Sequence, residues 1–149
     1  MAGGDIFVAD PLTQSIADVN DTSNSLRGNI TLAGSAFTGI YVNSTGEIYS
    51  LEYAGSGTDV AVINPATDQV SARINTGVFS LSLQYDNSTN QLFVVDMTDS
   101  SVAVINLSTN QVTGYISVGF QPGNELYDAL NGNLYVCNMA SGTLSVIQA

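Results

Sequence analysis

Thirteen carboxylates and two arginines, Arg27 and Arg73, are all the charged side chains in this sequence of 149 residues, which has neither histidine nor lysine. Without imidazole there is no Ser-His-Asp arrangement, no common general base and no usual nitrogen ligand for zinc or iron. Paired carboxylates are the remaining route to acid–base chemistry, with Asp96 and Asp99, Asp86, Asp128 and Glu125 as the candidates. They recur beside Asn, Ser and Thr in turn-like contexts, so they read as turn and rim residues, and no catalytic set is expected. Calcium takes carboxylate, amide and carbonyl oxygens, all plentiful here, but no Asp-x-Asp-x-Asp-Gly run occurs. Asn20-Asp21 and Asp96 to Asp99 are the nearest clusters. A structural calcium stays open and no other cofactor is expected. Gly3-Gly4 and Gly55-Ser56-Gly57 lead into strands or loops rather than helices, so phosphate cradling is unsupported.

Two residue types carry other chemistry. Cys137 is the sole cysteine, which excludes an intrachain disulfide. Its apolar run Leu134-Tyr135-Val136-Cys137 is expected to be a buried strand, with an inert thiol. Asn-x-Ser/Thr acceptor sequences begin at Asn20, Asn29, Asn43, Asn87 and Asn106. All five are expected at the surface. Turn chemistry explains them in part, because Asn43 with Asn87 and Asn20 with Asn106 are equivalent positions of a repeat.

The formal charge of -11 argues against nucleic acid as a partner, since two arginines cannot neutralise a phosphate backbone. Anionic lipid is disfavoured likewise, and apolar runs such as Leu92 to Val95 are far below a spanning length, so membrane insertion is not expected. Met1-Ala2-Gly3-Gly4 has neither the basic start nor the apolar core of a signal peptide, which fits an intracellular chain or one shown without its export signal.

The elements that position these residues follow from internal repetition. IFVAD (6–10), IYSLE (48–52), LFVVD (92–96) and LYVCN (134–138) share an aliphatic-aromatic start and an acidic or amide stop at spacings of 42, 44 and 42. IADVN (16–20), VAVIN (60–64), VAVIN (102–106) and LSVIQ (144–148) follow them at spacings of 44, 42 and 42. SLRGNITLA (25–33), QVSARINTG (69–77) and QVTGYISVG (111–119) form a third set, and Tyr41, Tyr85 and Tyr127 mark a fourth. Each segment is short, rich in Val, Ile, Tyr and Phe, and bounded by Asn, Asp, Gly, Ser or Thr, as strands and turns are. Runs such as Val102-Ala103-Val104-Ile105 are apolar on both faces, as in a sheet sandwiched between two others. The expected fold is all-β: a β-propeller of four-stranded blades, one domain over residues 1–149 with repeats at about 6–46, 47–90, 91–132 and an incomplete 133–149. Val60, Val62, Ile63, Val102, Val104, Ile105, Leu134 and Val136 are expected inside, and Asn43, Asn87, Asp68 and Asn110 exposed in turns.

These segments resemble the YVTN family of β-propeller repeats, most closely in LYVCN with TLSVIQ, LFVVD with SVAVINLSTNQV, and DVAVINPATDQV. The first copy departs from the pattern at Asp18, which replaces an aliphatic residue. With the family's strand order the chain begins at the second strand of one blade and ends at the third of another, about three and a half blades. The resemblance is to surface-layer repeats, and it implies a non-enzymatic extracellular or cell-surface protein, structural or adhesive, assembling with itself through its end blades and meeting other surface proteins or glycans. Propeller lactonases and lyases of similar repeat use metal-binding carboxylates or histidines near the channel, and no histidine here carries that over. A carboxylate-based or ligand-binding propeller completed by oligomerisation is the alternative, as is an inactive fragment or engineered part of a longer protein.

Overall fold

The structure, a computed structural model, describes residues 5–149. Fourteen strands follow in order: β1 (Asp5–Asp10), β2 (Ser15–Asn20), β3 (Ser25–Thr31), β4 (Ser35–Val42), β5 (Glu47–Tyr53), β6 (Thr58–Asn64), β7 (Gln69–Gly77), β8 (Ser80–Asp86), β9 (Gln91–Asp96), β10 (Ser101–Asn106), β11 (Gln111–Ser117), β12 (Pro122–Asp128), β13 (Asn133–Asn138) and β14 (Thr143–Gln148). They make four antiparallel sheets, β1-β2-β3, β4-β5-β6-β7, β8-β9-β10-β11 and β12-β13-β14. The first sheet lacks its inner strand and the last its outer one, the phase expected from the repeat.

Each hairpin turn is four residues long and, except at 54–57, ends on a residue with positive φ, such as Gly46 and Gly132 at 71° or Asn90 and Asn110 at 57° and 53°. Gly has no Cβ to clash there, and Asn tolerates the same region. The residue ending each strand starts the turn. Asp10, Asn20, Asn64, Asp86, Asp96, Asn106 and Asp128 each accept the backbone N–H two residues on, at 2.8–3.0 Å.

Three apolar layers lie between the four sheets. Phe7, Ala9, Ile16 and Ile30 of the first sheet meet Ile48, Ala61 and Ile63 of the second. The opposite face of the second sheet, with Tyr49, Leu51, Val60 and Val62, packs on Leu83, Leu92, Val94, Ala103 and Ile105 of the third. Phe93, Val95 and Val102 then pack on Leu134 and Val136 of the fourth. Val60 to Ile63 are all buried, with alternate residues serving opposite layers, which is why both faces of that strand are apolar. Val104 is only partly buried. The arc runs through β1 beside β4, β4 beside β8 and β8 beside β12, and among the described residues no comparable contact joins the first sheet to the last.

Candidate functional site: clasps and open faces

Of the carboxylates singled out above, Asp86, Asp96, Asp128 and Glu125 make hydrogen bonds within the fold, while Asp99 is exposed. Asp96 ends β9 and is buried. Its Oδ2 accepts the N–H groups of Val78 (2.7 Å) and Phe79 (3.3 Å) in the linker entering its sheet, and its Oδ1 those of Thr98 (2.8 Å) and Asp99 (2.9 Å) in the next turn. Glu52, at the equivalent position of the second sheet, takes the linker N–H of Ala33 at 3.0 Å on one oxygen and Arg73 on the other. Asn138 lies against the linker at Gly119 and donates to Thr143 (3.1 Å) and Ser145 (2.9 Å). Side-chain length matches linker residue. A Cβ on Gly77 would stand 1.9 Å from Asp96 Oδ2, and one on Gly119 would stand 2.6 Å from Asn138, whereas the longer Glu52 faces an alanine. Gly77 also has φ of 141°, open only to glycine at little cost. In the first sheet the equivalent Asp10 holds its own turn, Leu12 at 2.9 Å and Thr13 at 3.3 Å.

A second series runs along the inner strands. The Tyr85 hydroxyl lies 3.0 Å from Ser44 Oγ of the preceding sheet, and Tyr127 donates to Asp86 of its preceding sheet. Burial pushes the Asp86 carboxyl up, but bonds from Thr89, Tyr127 and Ser88 outweigh that and hold it at about 2. Tyr41, first of the series, is half exposed. Glu125 behaves oppositely: burial raises it to about 7, against a lowering bond with Ser82. The Ser82 hydroxyl faces both Glu125 Oε2 and the Gly123 carbonyl at 3.1 Å, yet has one hydrogen. Ser82 donates toward Glu125 Oε2, the bond that lowers its carboxyl against burial, with the Gly123 carbonyl as the alternative acceptor. Asp128 caps the turn at Leu130 (2.9 Å). Among the described residues no three His, Cys, Asp or Glu side chains are grouped to hold a metal ion.

What remains open are the two end sheets. Ile6 and Val8 on β1 are 48% and 50% exposed, while their repeat partners Ile48 and Leu92, Ser50 and Val94 are 0–3% exposed. Leu26 of β3 shares that bare face, through its pairing with Val19 and that of Val19 with Ile6. On the last sheet Leu126, Leu144 and Val146 are exposed. Cys137 is exposed too, contrary to its expected burial. It pairs with Leu144 on the uncovered face, whereas its equivalents Leu51 and Val95 are covered by the next sheet. The bare face of the first sheet is thus the side that receives a preceding blade, and that of the last the side that receives a following one.

Of the glycan-acceptor positions, Asn29, Asn43 and Asn87 are exposed. Asn20 and Asn106 are half-buried instead, because their side-chain oxygens are turned into the backbone of their own turns. Asp68 and Asn110 are likewise half-buried rather than fully exposed. Asn110 reaches back one sheet to accept the Tyr49 hydroxyl at 3.0 Å, and Asp68 lies near Gly28 of the first sheet.

Four-stranded antiparallel sheets stacked about an axis through their first strands, with three-stranded sheets at both ends, define a partial β-propeller. No protein-family model and no curated protein matches the sequence. Solved structures do. The chain is similar to the WD40 β-propeller domain of Doa1 (TM-score 0.78, 10% identity, 98% of this chain and 47% of that one). It is also similar to Kuenenia stuttgartiensis hydrazine synthase (0.74, 15%, 99% and 47%) and to the WD40 repeats of RRP9 (0.70, 14%, 97% and 48%). The chain therefore spans about half the length of these solved chains.

Proposed function

We propose that this chain is a non-catalytic scaffold, a structural module of an extracellular or cell-surface assembly, joined to further blades through its two end sheets. One observation carries this reading: the two bare faces are repeat equivalents of the two sides of the internal blade interfaces. Covering the exposed halves of Ile6, Val8 and Leu26 on one face, and of Leu126, Leu144 and Val146 on the other, is worth about 1 kcal/mol per side chain. The surface location is supported by the likeness to YVTN surface-layer repeats and by the exposed acceptor sites Asn29, Asn43 and Asn87. A propeller presents its turns on a rigid body, which suits protein or glycan partners.

The contact between one copy's last sheet and another's first is heterologous, so it closes a ring or grows a filament. Two copies would bring eight sheets, four of them three-stranded. Sedimentation velocity at micromolar concentration tests the reading. The expected mass is a multiple of 15.5 kDa, reduced to the monomer by Val8→Asp or Leu144→Asp. A wild-type monomer at all concentrations overturns self-assembly.

A further inference from the structure

The first sheet carries a second opening, separate from its bare face. A cavity of about 320 Å³ lies between β1 and the inner edge of the second sheet, lined by Ile6, Phe7 and Ala9 on one side and Gly39, Tyr41 and Ile48 on the other. Consecutive residues of a strand point to opposite faces, so a wall made by both Ile6 and Phe7 includes the strand's edge. Among the described residues that edge is unpaired, and β1 has β2 as its one neighbour. The other three sheets have β4, β8 or β12 at this place, paired antiparallel to the second strand.

We propose that this groove is a strand-acceptor site, filled by an extended segment outside the described residues that adds antiparallel to β1. The inference rests on reading the first sheet as an incomplete end. A second folded copy cannot supply the segment, because its inner strands β4, β8 and β12 are already paired within their own sheets. The lining defines the segment's chemistry. Ala9 stands where other sheets have Leu51 and Val95, and Gly39 where they have Leu83 and Glu125. The incoming strand must therefore carry bulkier side chains than Ile40 and Val42, which fill the corresponding space against the third sheet. At its end it must bring a polar group to the Tyr41 hydroxyl, as Ser44 meets Tyr85 and Asp86 meets Tyr127. Backbone pairing supplies affinity and the cavity supplies selectivity.

The test uses a labelled peptide with the sequence of residues 35–46, the same peptide with Ile40→Phe, and an outer-strand peptide of residues 69–77. Binding is followed by fluorescence anisotropy, with amide exchange read along β1. The inner-strand peptide is expected to protect β1 amides, and the phenylalanine form to bind about tenfold tighter. In the protein, Ala9→Phe should weaken binding by about tenfold or more by filling the cavity, and Tyr41→Phe by a few-fold. Leu144→Asp should leave it unchanged. Unprotected β1 amides at saturating peptide overturn the proposal. Equal protection by the outer-strand peptide does so too, as does β1 protection in peptide-free protein that scales with oligomer mass. Peptide binding to a protein that stays monomeric at all concentrations would sink self-assembly while leaving the acceptor site standing.

Discussion

Replacing Asp96 with alanine tests whether the blades are held by clasps or by apolar packing alone. Four backbone N–H groups lose their acceptor at once, two in the linker and two in the turn. A hydrogen bond to a charged group contributes about 1.5–3 kcal/mol, and a buried donor left without a partner keeps most of that as a penalty. All four bonds are partly buried, so water recovers a share of each. Together these give a loss of about 3–5 kcal/mol, a large share of a domain's usual stability. Asp96→Asn keeps one oxygen for the turn but turns an amide toward two donors, so it should fall between wild type and Asp96→Ala. Urea denaturation by far-ultraviolet circular dichroism measures both, provided the slope with denaturant is unchanged. An Asp96→Ala protein within about 1 kcal/mol of wild type at equal slope would show that the clasp contributes nothing net.

Gly77→Ala should destabilise by roughly 2 kcal/mol or more, through a Cβ driven into the clasp and a φ that alanine resists; a melting temperature equal to wild type would contradict both causes. Glu125, raised from 4.5 to about 7 in the folded protein, binds its proton more tightly there than when unfolded, so its contribution is complete below pH 4.5 and is lost as pH rises to 7. That amounts to ~3 kcal/mol, and Glu125→Gln should flatten this part of the stability–pH curve; an unchanged slope between pH 4.5 and 7 would refute the assignment. Cys137 should react with a thiol reagent at nearly the rate of a free thiol in dilute protein, and more slowly as concentration rises and the last sheet is covered.

Strand order, blade phase and the doubly buried strands were legible because they depend on residues a few positions apart. Val60 to Ile63 announce two apolar neighbours by lacking a polar face. The exposure of Cys137 could not be read locally: its strand repeats those containing Val95 and Leu51, and only the absence of a following sheet separates them. The turn asparagines mislead in a related way, since the half-burial of Asn110 comes from Tyr49, 61 residues earlier. The clasps did leave a trace. The stop residue is Glu where the linker has Ala33 and Asp or Asn where it has Gly77 or Gly119, but the pairing makes sense only once linker and strand end are known to touch.

Every described strand pairs with an immediate neighbour in the chain, so the pairings within each sheet are all local. Each hairpin closes a four-residue loop, which keeps the entropy of forming a sheet small and allows folding to start in any of them. The order of loss is then set by position along the arc. Middle sheets have apolar cover on both sides and end sheets on one, so opening proceeds inward from β1 and β14 while β6, β9 and β10 hold longest. The molecule frays as a row of stacked plates does, one plate at a time from the outside, and whatever covers its ends governs how long the middle survives.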